Sequence, residues 1–421
     1  MCNTRIIKER EKKESKEMSR KIRIPARTIM TPGPVEVYPS VLRAMGTPIL
    51  GQFDPMFLKV MDEVKEMIKV PFQTKNEEAF AIDGTSRSGL EAALIALIEP
   101  GDKVLIPAYG RFAYLLGEIA ERAKADVIYI EKEWDSVFEP KVVIDAIKKN
   151  QPKIVAMVHG ETANGQMQPL KEIGEFCREN DLFFVVDTVA TYGGAEIKVD
   201  EWQIDVAIAG SQKCVSVPAG LSLITYNERV KKVLASRYQK ELGLSKDIRN
   251  ERHISSNYLD LSQLERYWNQ ERINHHTEAT SMIYALHEGL SLLLDEGIEN
   301  SYQRHKLNDQ AIGAGIKSMG LELYGDMTTK MPTVTPILIP EGIDGESVRS
   351  MLLEEFGIEI ASSFGPLQNK VWRIGNMGYS SRKENVLHVL GALEAVLIFH
   401  GANVSPGKAV QEALNVYLTS K

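Results

Sequence analysis

Cysteine is scarce in this chain of 421 residues. Its three cysteines, Cys2, Cys177 and Cys214, have neither the paired spacing of a disulfide framework nor the spacing of metal ligands. The scarcity excludes a disulfide-rich secreted domain. It predicts a protein of a reducing compartment, the cytoplasm, that holds no metal.

Long apolar runs and a basic charge excess are also absent. No apolar run approaches the roughly 20 residues that a membrane helix requires. The formal net charge is −7, whereas nucleic-acid-binding proteins usually have a basic surface. Residues 1–22 are dense in Lys, Arg and Glu but lack the apolar core of a secretory signal. We therefore expect a charged N-terminal arm there, and neither a membrane nor a nucleic acid as partner.

Hydrophobic patterning indicates the fold of the first two thirds of the chain. Short apolar runs alternate with longer amphipathic segments, and the runs lie at residues 79–82, 103–106, 127–130, 154–158, 183–186 and 206–209. Such alternation predicts crossover connections and a mostly parallel sheet with helices on both faces. Sheets of this kind bind ligands at the carboxyl ends of their strands.

The pattern changes after Gly220. A long helix is predicted from about Thr277 to Leu294. Beyond it, predicted strands at residues 320–324, 334–339 and 371–374 mix with helices at 305–319, 345–356 and 383–400. Because the chain exceeds the size of a single growing core, we predict a large α/β domain at residues 23–295 and a smaller α+β domain at 296–421.

Two of the predicted strands end in residues that can do chemistry. Asp187 follows Val185 and Val186, and taken alone it is more simply explained as a helix cap. Lys213 follows the next strand, in Ser211-Gln212-Lys213-Cys214. A lysine at a strand end is usually solvated, but in a pocket that favours the neutral amine it becomes a nucleophile for Schiff-base chemistry.

A third feature is the segment Asp83-Gly84-Thr85-Ser86-Arg87-Ser88-Gly89, which opens a predicted helix. Free backbone N–H groups at a helix start can bind phosphate, although a plain tight turn is an alternative. The segment is neither a Walker A loop nor a dinucleotide fingerprint. Together, an anion site, a carboxylate and an amine are what pyridoxal phosphate requires. A module that only bound a phosphorylated ligand would need no such lysine.

These motifs resemble those of fold-type-I, class V aminotransferases, close to the alanine:glyoxylate and serine:pyruvate enzymes. The resemblance runs from about Thr31 to the end of the chain and includes Thr31-Pro32-Gly33-Pro34, His159-Gly160-Glu161-Thr162, Asn274-His275-His276-Thr277 and Trp372-Arg373-Ile374-Gly375. It implies the pyridoxal-phosphate-dependent transferase fold, with a central sheet of the seven-stranded type. It also implies a homodimer with shared active sites.

The resemblance implies a role for each site residue. Lys213 would be the catalytic residue, which binds the cofactor aldehyde and transfers protons, and Asp187 would pair with the ring nitrogen. The residues that would contact the cofactor phosphate are Thr85, Ser86, Arg87 and Gln212, with Thr277 reaching the phosphate in the partner subunit. Those that would contact its ring are Phe112 and Val189, one on each face, and Thr162 at the ring hydroxyl.

The substrate side would consist of Pro34, Gly51, Gln52, Asn274 and Arg373, with Arg373 clamping a carboxylate. Alanine:glyoxylate enzymes carry a tyrosine where this chain has Asn274, and commonly a histidine near Gly51, where it has Gln52. Two amides suit an amide-like substrate, unless they are merely structural polar residues.

The stretches around Gln52, Asn274 and Ser362 resemble the (S)-ureidoglycine–glyoxylate aminotransferases of purine breakdown. This resemblance implies transamination of ureidoglycine with glyoxylate to give oxalurate and glycine. The alternative is an alanine- or serine-glyoxylate aminotransferase with the same machinery.

Overall fold

The computed structural model describes residues 24–241, 243 and 249–420. The predicted N-terminal arm at residues 1–22 lies outside them. None of the helices in the described part of the chain is both long and apolar enough to cross a membrane.

A seven-stranded sheet forms the centre of the molecule. Its strands are β2 (Glu78–Asp83), β3 (Lys103–Ala108), β4 (Asp126–Glu131), β5 (Ile154–Val158), β8 (Phe183–Asp187), β9 (Val206–Gly210) and β10 (Leu221–Tyr226). They lie in the order β2-β10-β9-β8-β5-β3-β4, and only β10 runs against its neighbours. In β5, β9 and β10 every residue is buried, so both faces of the sheet are covered. The predicted α/β class is confirmed.

Helices cover this sheet. They are α1 (Pro39–Met45), α2 (Pro55–Phe72), α3 (Ser86–Leu97), α4 (Arg111–Arg122), α5 (Pro140–Asn150), α6 (Lys171–Glu179), α7 (Glu228–Arg237), α8 (Leu261–Trp268) and α9 (Thr280–Glu296). Local sequence starts some of them: the Asp54 carboxylate accepts the Met56 N–H ahead of α2, with proline at its first position. Helices α1 and α2 were not predicted, because they precede residue 76, near which the alternation of apolar runs and amphipathic segments begins.

A second, antiparallel sheet has the order β11-β14-β13. The C-terminal elements are α10 (Ile298–Ser318), β11 (Val334–Leu338), α11 (Gly345–Phe356), β12 (Ile358–Glu359), β13 (Ala361–Ser362), β14 (Val371–Gly375), α12 (Lys383–Phe399) and α13 (Lys408–Thr419). Residues 320–324 were predicted as a strand but form only an isolated bridge, Leu323 with Ile337. Short pairs complete the fold: β1 (Thr28–Ile29) with β12, and β6 (Gly160–Glu161) with β7 (Gln166–Met167).

Two large hydrophobic cores accompany the two sheets. One collects buried side chains from Val41 to Leu290, and the other collects those from Ala311 to Tyr417. Met30 packs in the second core, because β1 pairs with β12 there. The division at residues 23–295 and 296–421 stays a prediction, and residues 28–30 pack with the C-terminal elements.

Candidate active site

The carboxyl ends of β2, β3, β5, β8 and β9 lie at one edge of the central sheet, since these strands share a direction. The segments that follow them surround a cavity of about 240 Å³. Its lining contains all the predicted cofactor residues except Thr277, namely Thr85, Ser86, Arg87, Phe112, Thr162, Asp187, Val189, Gln212 and Lys213. Distant parts of the sequence therefore meet where parallel sheets bind ligands.

Lys213 lies just beyond β9, and its ammonium nitrogen bonds the carbonyl oxygen of Pro32. A Cβ atom on Gly33 would come within 2.5 Å of that nitrogen, so only glycine leaves room for the lysine. Burial lowers the pKa of Lys213 to about 8, and the positive charge of Arg373 acts in the same direction. The lowered pKa gives a share of neutral amine near neutral pH, which a nucleophile requires.

Asp187 is the last residue of β8 and is almost fully buried. One carboxylate oxygen accepts the Val189 N–H at 2.9 Å. Burial raises the pKa of Asp187 to about 6, against the opposing effects of that hydrogen bond and of Lys213. A cation placed against this carboxylate would stabilise its charged form. No helix begins directly after Asp187, so the helix-cap alternative does not hold.

The turn between β2 and α3 has the geometry of an anion site. Gly84 has φ +123°, a conformation that favours glycine, and α3 begins two residues later at Ser86. The Gln212 amide nitrogen donates to the Ser86 hydroxyl at 2.9 Å. Thr85 and Arg87 are exposed toward the cavity they line. Hydroxyls, an amide, a guanidinium and free helix N–H groups thus converge, as a phosphate requires.

Arg373 projects from β14 and is buried. Its guanidinium donates to the carbonyl oxygens of Thr162 at 2.9 Å and Ser362 at 3.0 Å. Burial lowers the pKa of Arg373 to about 10, and nearby Glu161 opposes that shift. The side chain therefore stays charged at neutral pH. A residue of the small sheet thereby reaches the loop that carries Thr162.

Glu161 is a residue whose importance sequence reasoning missed, although it lies in the motif His159-Gly160-Glu161-Thr162. It is fully buried and accepts the backbone N–H groups of Phe112 and Ala163, both at 2.8 Å. Burial raises the pKa of Glu161 to about 7. Gly110 leaves room for this side chain, because a Cβ atom there would lie 2.1 Å from Glu161 Cγ.

The predicted substrate residues and Thr277 do not line this cavity, although Arg373 bonds the carbonyl oxygen of Thr162, which does. Gln52 and Asn274 lie together, with the Gln52 amide nitrogen 2.8 Å from Asn274 Oδ1. Gly51 and Thr277 are exposed. Pro34 lies outside the lining but follows Gly33, which touches Lys213. The predicted site therefore falls into a cavity group and an outer group.

The family model for class-V aminotransferases matches residues 49–367. The chain belongs to the class-V aminotransferases. This family uses pyridoxal phosphate, and the residues in the cavity fit that cofactor, since they combine an amine, a buried carboxylate and a phosphate site. The protein is therefore an aminotransferase, and the predicted fold type is confirmed.

Individual relatives agree with the family. The (S)-ureidoglycine–glyoxylate transaminase of Bacillus subtilis is 60% identical over 403 residues, which cover 94% of this chain and 97% of the relative. The alanine–glyoxylate aminotransferase of Drosophila melanogaster is 35% identical, covering 90% of this chain and 94% of its own.

The similar solved structures include a ureidoglycine–glyoxylate and an alanine–glyoxylate aminotransferase as well. The crystal structure of ureidoglycine–glyoxylate aminotransferase from Bacillus subtilis superposes with a TM-score of 0.90, covering 95% of this chain and 100% of that chain at 60% identity. Alanine–glyoxylate aminotransferase from Nostoc sp. gives 0.85 at 38% identity, covering 90% and 97%.

Proposed function

We propose that this aminotransferase transfers the amino group of (S)-ureidoglycine to glyoxylate, giving oxalurate and glycine. The 60% identity to the Bacillus subtilis transaminase of that name supports the choice of substrates. The single observation that carries it within the chain is the hydrogen-bonded amide pair of Gln52 and Asn274.

The orientation of the amide pair follows from its neighbours. The backbone N–H of Glu278 points at Gln52 at 3.0 Å, and a backbone N–H can only donate. The Gln52 oxygen must therefore face Glu278, and its NH₂ group must face the Asn274 oxygen. The NH₂ group of Asn274 is left to donate elsewhere. An outward N–H donor suits the ureido carbonyl oxygen and finds no acceptor on the methyl group of alanine.

Pyridoxal phosphate, when bound, supplies an aldehyde that takes up the amino group and a ring that accepts electrons from the substrate Cα. The residues of the cavity divide the remaining work. Lys213 would hold the aldehyde and would move a proton at the substrate Cα. Asp187 would keep the ring nitrogen protonated. The residues that would hold the phosphate are Thr85, Ser86, Arg87 and Gln212.

Three further side chains that line the cavity would position the ring. Phe112 and Val189 would contact its two faces, and Thr162 would bond its hydroxyl. The lowered pKa of Lys213 supports its role, because only the neutral amine reacts with the aldehyde. The raised pKa of Asp187 supports its role as well, because a protonated ring nitrogen beside the buried carboxylate would stabilise its charged form.

Arg373 binds the α-carboxylate of both substrates. Three of its N–H groups donate to the Thr162 and Ser362 carbonyls. A guanidinium has five N–H donors, so two are left for a carboxylate. Pro34, which follows Gly33 beside Lys213, and Gly51, which precedes Gln52, would complete the substrate side. The carbonyl contacts fix the guanidinium plane before the substrate arrives.

A second copy of the chain completes the site. Large apolar side chains are exposed in the chain segment that contains Gln52, residues 42–56, including Leu42 at 55%, Ile49 at 65% and Met56 at 59%. An apolar patch of this kind marks a protein interface. In a homodimer the amide pair and Thr277 of one subunit serve the cavity of the other.

The donor is tested by comparing kcat/KM for freshly generated ureidoglycine and for alanine, each with glyoxylate as acceptor. We expect a clear preference for ureidoglycine. Equal or reversed values for alanine or serine would instead support the alanine- or serine-glyoxylate alternative.

The dimer is tested by Ile49→Asp in sedimentation velocity. We expect dissociation, because a carboxylate cannot be buried unpaired in an apolar interface. Ile24→Asp is the matched control, since Ile24 is 85% exposed and lies outside the patch. An Ile49→Asp protein that stays dimeric would remove this patch from the interface.

The two free, buried cysteines, Cys177 and Cys214, support our assignment of the protein to the cytoplasm.

A further inference from the structure

A cluster of polar side chains adjoins the turn at residues 83–86, which would hold the cofactor phosphate and is called the phosphate turn below. Asp83 ends β2 just before Gly84, and His276 and Glu278 come from the segment that leads into α9. The imidazole Nε2 of His276 is 3.5 Å from a carboxylate oxygen of Asp83 and 3.8 Å from one of Glu278. Each side chain offers one ligand atom, and these three atoms lie within 4.8 Å of one another.

These side chains carry unpartnered buried atoms. Within the described part of the chain, Asp83 Oδ1, His276 Nε2 and Glu278 Oε2 are buried without a hydrogen-bond partner. Glu278 itself is only 5% exposed. Buried polar atoms are almost always satisfied, so three such atoms at one point indicate a missing ligand.

The charge of the cluster also indicates that a ligand is missing, and that this ligand is a cation. Among the described residues, no Lys or Arg lies within salt-bridge distance of Asp83 or Glu278. His276 Nδ1 is 2.8 Å from His275 Nδ1, which leaves Nε2 to face the two carboxylates. Two buried carboxylates and an imidazole without a cation would be costly.

The spacing fits one metal ion. Zinc binds imidazole nitrogen and carboxylate oxygen at about 2.0–2.2 Å, so tetrahedral ligands lie about 3.4 Å apart. The separations of 3.5 and 3.8 Å are close to that value. The contact between His275 and His276 resembles the outer hydrogen bond that orients a ligating histidine.

We infer that Asp83, His276 and Glu278 bind one divalent metal ion of the zinc or manganese class. One imidazole and two carboxylates suit these ions, whereas the soft thiolate ligands of copper(I) are absent from the set. The expectation of no metal rested on the spacing of the cysteines, and this site would use none of them, because its ligands come from Asp83 and from the distant residues His276 and Glu278.

The ion would join two parts of the proposed active site. Asp83 begins the phosphate turn, and the backbone N–H of Glu278 orients Gln52. Metal binding would hold the turn and the amide segment in one arrangement. The ion is structural in this role and takes no part in the transfer of the amino group.

The test uses the full-length enzyme with its cofactor bound. After purification without chelator, plasma mass spectrometry should find about one zinc or manganese per chain, as a single such site requires. Dialysis against EDTA should remove the metal and lower the Tm by several degrees, and adding back ZnCl₂ or MnCl₂ should restore it. Asp83→Asn and Glu278→Gln should each lose the metal.

Glu354→Gln is the matched control, because Glu354 is exposed and lies near His400 in another acidic region. It should retain the metal. Titration calorimetry of the metal-stripped wild-type enzyme gives an answer even where a variant fails to fold. The inference is overturned if the wild-type enzyme binds neither ion, or if the Asp83 and Glu278 variants keep it.

Discussion

The cavity around Lys213 and the amide pair of Gln52 and Asn274 are built in different ways. The cavity is assembled within one chain from segments that follow five strands of one sheet. The amide pair lies outside that lining, beside exposed apolar side chains such as Ile49. The cavity therefore holds every residue proposed to contact the cofactor except Thr277, whereas the amide pair proposed to select the donor lies outside it.

This difference separates two kinds of change. Substitutions in the cavity should affect every substrate, because all substrates pass through the same chemistry. Substitutions in the amide pair should affect one donor and leave the acceptor unchanged. The following experiments test that separation.

Lys213→Ala should have the largest effect, a loss of about 10³-fold or more in kcat with any donor, because the proton transfer group is removed. The absorbance of the covalently bound cofactor should disappear as well. Lys141→Ala, at an exposed lysine, is the control. Retention of both turnover and absorbance by Lys213→Ala would refute its catalytic role.

Arg373→Lys should lower kcat/KM by about 10²-fold for ureidoglycine and glyoxylate alike. A lysine lacks the bidentate fork, and charge-assisted hydrogen bonds are each worth about 1.5–3 kcal/mol. The cofactor absorbance should not change. Arg122→Lys, at an exposed arginine, should behave as wild type. A loss confined to one of the two substrates would contradict a common carboxylate clamp.

Asn274→Ala should lower kcat/KM for ureidoglycine by about 10-fold, as expected for one uncharged hydrogen bond. The KM for glyoxylate should not change. Gln270→Ala, at a nearby exposed amide, controls for general effects. Equal losses for ureidoglycine and alanine would show that the pair is structural.

The pH dependence of cofactor capture should show the smallest effect. The pKa of Lys213 is lowered to about 8, so the neutral amine increases from about one tenth at pH 7 to about half at pH 8. The association rate of pyridoxal phosphate with the cofactor-free enzyme should therefore rise about fivefold over that interval, as measured by stopped-flow absorbance. A rate that is flat or falls with pH would place the lysine pKa outside this range.

Much of the fold was predictable from periodicity. The strands ending at Asp187 and Gly210 were apolar runs of strand length, and the helix Gly345–Phe356 matches its predicted bounds. The segment at residues 320–324 has the same pattern but forms only a bridge, because pairing depends on a neighbouring strand and not on local propensity.

The candidate site was predictable to the extent that its residues follow strands. Asp187, Lys213 and the turn at Gly84 each follow a strand of the same sheet, and parallel strands bring their carboxyl ends together. Glu161 could not be recognised, because its function depends on backbone N–H groups that only the folded chain brings to it.

The sequence by itself determined the order of strands and helices and the chemical groups at the strand ends, since these depend on local patterning. Tertiary structure alone decided which groups meet. It set Lys213 against Gly33 and the Pro32 carbonyl, joined Gln52 to Asn274, and gathered Asp83 with His276 and Glu278. These contacts join residues far apart in the chain, and their burial then shifts the pKa values on which the chemistry depends.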